Sequence, residues 1–430
     1  MIKKEILYKL KKNYIKNNDN KVRERILNKV GLIDLISDKE MTLDTEFNIE
    51  LETHGIMNQK ESGRCWLFGG LNILREQVIK KCNLNNFDLS GGYLAFYDKL
   101  ERFNFIEDKI IDSLLNGKDV YDRYLFDLLK TGVDDGGYYT GFANLVKKYG
   151  IVPRNVFPET YQSSNTAEIN QILTRLLKRF YIEVEHNLLK KDKIKQKYLE
   201  YAYKIISNLY GEIVDKFDFE YKDKDGKYHI DKNITPKLFY KKYVGLDLLT
   251  NYVEVYSYED DKYKVDNLYE IKDTSRIVGT KDNIVLNVSK RDMKNLLLKQ
   301  LKNKELVYFS TSTPDKILNG IWTDTFKRYG DIFEIDLELN NNDILKTNDT
   351  SGEHVMIFTG VNIINGKPVK WKVENSWGEK EGDLGYFIAD DDWVNKYVFN
   401  IVINKKYLTK KQLSLLKTKP IKIDKYYSKF

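Results

Sequence analysis

Cysteine, proline and histidine are all scarce in this 430-residue chain, at 2, 6 and 4 residues. Cys65 and Cys82 can form one bridge at most, which excludes a disulfide framework and points to a reducing compartment, with the cytoplasm as the expected location. So few prolines exclude long Pro-rich linkers and collagen-like segments. No apolar run reaches the roughly 18 residues a membrane-spanning helix needs. One-sided charge is missing too. Lys plus Arg number 71 against 64 Asp plus Glu, a net +7 that is too mild to argue for a nucleic-acid partner. The amino end interleaves charge and apolar residues like a basic amphipathic helix, and no apolar h-region follows, so it does not read as a signal peptide. No repeat of fixed period is found.

What is present argues for a large folded core. Apolar residues make up 42% of the chain and aromatics 13%, too many for a disordered protein. At roughly 100–200 residues per domain, the length allows two to four units or one core with insertions. Helical periodicity runs through residues 1–40, Cys65–Lys81, the stretch from Leu94, Phe142–Tyr149 and a long block over 168–217. Ser289 to Lys302 reads as a helix capped by Ser289, with Asp292 at the reciprocal position. Residues 218–232 read as a polar loop, and β-type runs begin near Asn251 and Asn283. The carboxyl third reads as a meander of His354–Val361, Val369–Glu374, Gly385–Ala389 and Val398–Ile403. Asn365-Gly366 is a hairpin signal, in a loop that looks longer than two residues.

The chemistry concentrates around Cys65. It sits where the turn Ser62-Gly63-Arg64 gives way to a helix. A helix amino end carries partial positive charge and unpaired N–H groups, and both favour thiolate over thiol. Gln59, six residues upstream, can aim its amide at the same point as the Cys65 backbone N–H, forming an oxyanion hole. A thiolate nucleophile needs a base and an orienter. Of the four histidines, His186 and His229 lie in charged or polar stretches and read as solvated, and His54 as a surface or capping residue. His354 opens an apolar strand and alone would be an ordinary strand-edge histidine. Asn375-Ser376-Trp377-Gly378 follows 21 residues later, on the strand expected to pair with it. Asn375 can hold one imidazole nitrogen so that the other faces the thiol, and Trp377 can cover that bond. Cys82 reads as an inert thiol.

Together, Gln59, Gly63-Arg64-Cys65-Trp66, His354 and Asn375-Ser376-Trp377-Gly378 resemble the papain-type cysteine peptidase signature. Finer motifs are similar to one branch, the bleomycin hydrolases and bacterial aminopeptidases C. They include Asn58-Gln59-Lys60-Glu61-Ser62-Gly63-Arg64-Cys65-Trp66, Asp135-Gly136-Gly137, Tyr149-Gly150-Ile151-Val152-Pro153 and Val373-Glu374-Asn375-Ser376-Trp377-Gly378. The likeness is dense over roughly 40–180 and 305–405. It implies an α+β papain-like fold with Cys65 as nucleophile, His354 as base and then acid, Asn375 as orienter and Gln59 as oxyanion donor. Gly136 and Gly137 would let substrate backbone approach. No metal or cofactor is implied, and the assembly implied is a hexameric cage with its sites facing an inner channel.

The papain pattern puts the histidine about 130–150 residues after the cysteine, whereas His354 lies 289 positions beyond Cys65. A large, mostly helical insertion is therefore expected. The expected divisions are a helical arm over 1–40, the nucleophile half over 41–165, the insertion over 166–300, the β-rich half over 301–404 and a basic tail over 405–430. With no pro-segment expected, enclosure within an oligomer is the expected restraint on activity. Gly352-Glu353 stand where the family usually has Met-Thr, so Glu353 is expected to place a carboxylate near the imidazole and raise its pKa. The family's small apolar carboxyl terminus lies in the cleft and binds the substrate's amino group; here the chain ends in Phe430. The expected activity is a broad-specificity aminopeptidase acting on peptides. Alternatives are an endopeptidase or peptidyl transferase of the same fold, or an idle oligomer binding nucleic acid or peptides.

Overall fold

The computed structural model describes the whole chain except residues 38–43, 260, 312–316, 319, 348, 350–351 and 425–430. It is α+β. One half is helical, and its principal helices are Cys65–Cys82, Gly91–Leu115, Tyr139–Tyr149, Ala167–His186 and Lys191–Tyr210. Among the described residues, the other half is a sheet of 12 strands. Each half has its own apolar core.

The helix Cys65–Cys82 runs through the first core, with Leu67, Leu71, Leu74 and Val78 fully buried. Each such side chain contributes about 1.5–3 kcal/mol. The strand His354–Ile364 lies between the two cores. Its Val355 and Ile357 pack with the helices, and its Met356 and Phe358 pack with the sheet half. Burial on both faces explains why this strand reads as one continuous apolar run. Gly69 permits the close approach of helix to strand, because a Cβ there would lie 2.8 Å from Val355 Cγ1.

From Tyr252–Tyr256 the sheet order runs through Val398–Asn404, Val307–Thr311, His354–Ile364, Lys367–Glu374 and Tyr386–Asp390. The expected meander is therefore incomplete: Val398–Asn404 crosses over to lie between Tyr252–Tyr256 and Val307–Thr311. The hairpin loop is shorter than its surroundings suggest. Ile364 pairs with Lys367, leaving Asn365 and Gly366 alone in the turn at φ +50° and +76°. Positive φ at both centres matches the twist of the flanking strands.

The stretch 166–300 is less helical than expected. Its long helical block ends at Tyr210, with only short helical turns until Lys290–Lys302, and the supposed loop 218–232 is a hairpin of Phe217–Lys222 on Tyr228–Ile234. Phe217 and Phe219 alternate inward while Asp218 and Glu220 face water. Beyond it, Tyr252–Tyr256, Asn267–Ile271 and Asn283–Asn287 join the large sheet. The basic tail also has structure. Lys410–Leu415 is helical, and Ile421–Ile423 adds a parallel edge strand to Asn267–Ile271. The terminal Phe430 lies outside the described residues. At the amino end, helices Lys4–Lys16 and Asn18–Leu27 bury none of their residues. No helix among the described residues is long and apolar enough to cross a membrane.

Candidate active site

Cys65 is the first residue of its helix and is 7% exposed, at the edge of a cleft of about 220 Å³. Its thiol meets three backbone N–H groups: its own, that of Trp66 and that of Val355. Val355 directly follows His354, so the sulfur lies against the start of the histidine strand. Burial dominates the thiol and pushes it up to about 11, and the three N–H groups pull the other way. This reverses the lowering expected from the helix end alone. The helix-end amides are in place, but removal from water outweighs them.

His354 is 8% exposed. Its Nε2 meets Asn375 Oδ1 at 2.8 Å. Asn375 Oδ1 also accepts from the Ser376 N–H at 2.8 Å, so the amide is held while it holds the ring. The Trp377 indole stacks on the imidazole, with centroids 5.1 Å apart and planes 28° apart. Burial lowers the imidazole pKa, and the Asn375 bond opposes that. The expected elevation by Glu353 is thus not found: Glu353 is exposed on the cleft wall, and burial sets the direction.

Gln59 is buried and joins the two halves. Its Oε1 accepts from Ser376 Oγ at 2.6 Å, and its backbone N–H donates to the Ser376 carbonyl at 2.8 Å. Its Nε2 donates to the Ser62 carbonyl at 2.5 Å, which uses one of its two N–H groups. Asn58 bridges to Trp377, and Gly378 (φ +86°) is packed so closely that a Cβ would lie 2.4 Å from Asn58 Nδ2.

Gly136 and Gly137 line the cleft with Cys65, and their surroundings differ. A Cβ on Gly137 would fall 2.5 Å from the Trp66 ring, whereas one on Gly136 would meet nothing within 4 Å. The loop is fixed by Asp135. Its carbonyl accepts from Trp66 Nε1 at 2.7 Å, and its carboxylate accepts from the Gly63 N–H at 3.1 Å, Lys99 Nζ at 2.5 Å and Thr166 Oγ1 at 2.5 Å. Burial would raise that carboxyl, but Lys99 and these hydrogen bonds outweigh it and hold it well below the usual range. Sequence reasoning did not single out Asp135 as the lock. The signal was the run of charges Asp98, Lys99, Glu101 and Arg102 inside a largely apolar helix.

The other histidines and the second cysteine lie elsewhere. His54 Nδ1 meets Glu76 Oε2 at 2.7 Å. His229, expected to be solvated, stacks on Tyr221 and meets Asp223 at 2.8 Å. Cys82 is buried, which raises its thiol pKa. Among the described residues, no group of three His, Cys, Asp or Glu side chains is arranged to hold a metal ion.

The Peptidase C1-like family profile matches residues 1–428. Aminopeptidase C of Lactobacillus helveticus is 35% identical over 377 residues, covering 86% of this chain and 83% of that one. Aminopeptidase W of Lactobacillus delbrueckii subsp. lactis is 31% identical over 436 residues, covering 99% and 98%. The crystal structure of PepW from Lactobacillus rhamnosis superposes with a TM-score of 0.94 at 32% identity, covering 99% of this chain and 97% of that one. The chain belongs to the Peptidase C1-like family, within the papain-like branch of bleomycin hydrolases and bacterial aminopeptidases C.

Proposed function

We propose that this protein is a cysteine aminopeptidase that hydrolyses peptide amide bonds through a thioester. Cys65 Sγ attacks the scissile carbonyl as its proton passes to His354, and the Cys65 N–H and the free Gln59 N–H receive the oxyanion. His354 then protonates the leaving amine. It next takes a proton from water as the water attacks the thioester, releasing the acid and restoring the thiol. Asn375 holds the ring through this exchange, and Trp377 shields their bond. The observation that carries the reading is the convergence of two contacts on adjacent residues: His354 on Asn375 at 2.8 Å and the Val355 N–H on the Cys65 thiol. The names of the relatives support release of amino-terminal residues.

The test is cleavage of free-amino and amino-blocked peptides by wild type and Cys65→Ala. Loss of all cleavage in Cys65→Ala, with free peptides strongly preferred, is expected. Equal cleavage of blocked and free peptides would replace the aminopeptidase with an endopeptidase. Undiminished activity in Cys65→Ala would remove the thiol mechanism.

We place the active particle in the cytoplasm as a closed homo-oligomer, hexameric by family likeness. The amino-terminal helices support assembly, since Ile6, Leu7, Leu10, Val22 and Ile26 are each 45–56% exposed there.

A further inference from the structure

A buried ionic contact joins the two halves of the molecule directly behind Asn375. Glu374 ends the strand Lys367–Glu374 and is 1% exposed. Its Oε1 accepts from Asn72 Nδ2 at 2.6 Å and Arg75 Nη2 at 3.3 Å. Both donors stand on the Cys65 helix, and the Arg75 side chain is fully buried. Arg75 also meets Glu76 at 3.1 Å and Asp88 at 3.8 Å. One rigid helix thus carries the nucleophile at its first residue and grips, ten residues later, the residue next to Asn375.

A buried ion pair is weak evidence for stability, because an apolar pair of equal volume usually does as well. It differs from an apolar pair in being directional. Charge-assisted hydrogen bonds fix angle and register, which a greasy contact does not. A peptidase whose thiol and imidazole come from different halves depends on that register, and small misplacements cost large factors in rate.

We propose that Glu374 is a positioning residue that registers the Cys65 helix against the strand end holding Asn375, and through Asn375 sets how the His354 ring faces the thiol. This rests on the catalytic roles given above to Cys65, His354 and Asn375. The groups facing Glu374 are Asn72, Arg75 and Glu76 on the helix, Thr53 on the entering segment, and Tyr386 on the neighbouring strand. On its own strand, Lys372 is occupied by Glu50. Burial raises the Glu374 carboxyl to about 7 against the pull of Arg75.

The test uses full-length Glu374→Gln, Arg75→Gln and the double variant, each measured for kcat, KM and the pH profile of Cys65 alkylation by iodoacetamide. Each single variant is expected to lose about tenfold to a hundredfold in kcat with KM within about twofold, and to shift the alkylation profile. The double variant should lose no more than the worse single, because both side chains act as one device. Wild-type kcat and profile in Glu374→Gln, or losses that add, would overturn the proposal. If the single variants misfold around an orphaned charge, the double variant decides, since it buries two amides and no lone ion. Wild-type kcat and profile there would equally overturn it. Failure of the underlying reading is distinguishable, because Cys65→Ala would then keep its activity whatever the Glu374 variants do.

Discussion

The two cleft glycines separate packing from function in one experiment. An alanine at 137 would place its Cβ 2.5–2.7 Å from three carbons of the Trp66 ring. That ring is 2% exposed and is tied to Asp135, so it cannot swing away cheaply. Overpacking of this kind costs about 1–3 kcal/mol. An alanine at 136 meets no heavy atom within 4 Å, and its φ is not among the positive ones. The folded state tolerates that methyl, and reduced freedom of the unfolded chain adds about 0.4–1 kcal/mol of stability. The new methyl would stand in the cleft that Cys65 lines, where the family likeness puts extended substrate backbone. Gly136→Ala is therefore expected to unfold at the same or slightly higher urea concentration than wild type, yet to lose about tenfold or more in kcat/KM. Gly137→Ala should lose stability first. Urea midpoints and kcat/KM on a free-amino dipeptide amide measure both. Full activity in Gly136→Ala would refute the assignment of this loop to substrate backbone, and wild-type stability in Gly137→Ala would refute the packing argument.

Glu374 makes stability depend on pH in a defined direction. Its carboxyl is lifted from 4.5 to about 7, so the fold binds its proton more tightly than the unfolded chain does. The stability it contributes is fully present below about pH 4.5 and falls by on the order of 3 kcal/mol as pH rises to about 7. Glu374→Gln should flatten that fall in urea midpoints taken at pH 5 and pH 8, and an unchanged slope would exclude Glu374 as its source. Glu353 presents an exposed carboxylate on the cleft wall. Replacing it with Thr should raise kcat/KM for acidic peptides relative to basic ones by about two- to fivefold, the scale of an exposed ion pair; an unchanged ratio would remove it from substrate selection. Removal of residues 1–36, which carry the exposed apolar helices, should shrink the native particle in light scattering while each subunit stays folded. A particle of unchanged subunit number would locate the assembly contacts elsewhere.

The parts of the site legible in the sequence were those whose chemistry is local. A turn running into a periodic helix marked Cys65, an uninterrupted apolar run marked the His354 strand, and Asn375-Ser376-Trp377 marked its partner. The hairpin Phe217–Lys222 with Tyr228–Ile234 was hidden because only its inward residues are apolar while Asp218, Glu220 and their neighbours make the segment look like a solvated loop. The crossover of Val398–Asn404 was hidden for another reason. A run buried within a sheet shows that it is a strand but carries no sign of which strands flank it. Arg75 and Glu374 were invisible as a pair, since a charge inside an apolar helix reads as a solvated face until the opposing strand is placed against it.

The same separation of local from long-range effects resolves a tension in the site. Taken one at a time, both reacting groups are pushed toward neutrality, the Cys65 thiol up to about 11 and the His354 imidazole down, and burial is the leading cause in each. The contacts around them mostly point the other way. Three backbone N–H groups favour the thiolate, with Asp135 opposing them from farther off. The Asn375 oxygen favours the imidazolium, and the face of the Trp377 ring, stacked on it, favours a cation as well. Burial penalises a lone charge far more than it penalises two opposite charges side by side, because each ion replaces part of the other's lost water. A proton moved from sulfur to nitrogen therefore meets an environment prepared for the product of that transfer. In the proposed mechanism thiol and imidazole would then ionise together, so that the nucleophile is generated at the moment of attack. It also bears on the register between the two halves: the proposed pair would gain that compensation only at contact distance, and the Cys65 segment and the Asn375 strand are joined by Gln59–Ser376 on one side and Arg75–Glu374 on the other.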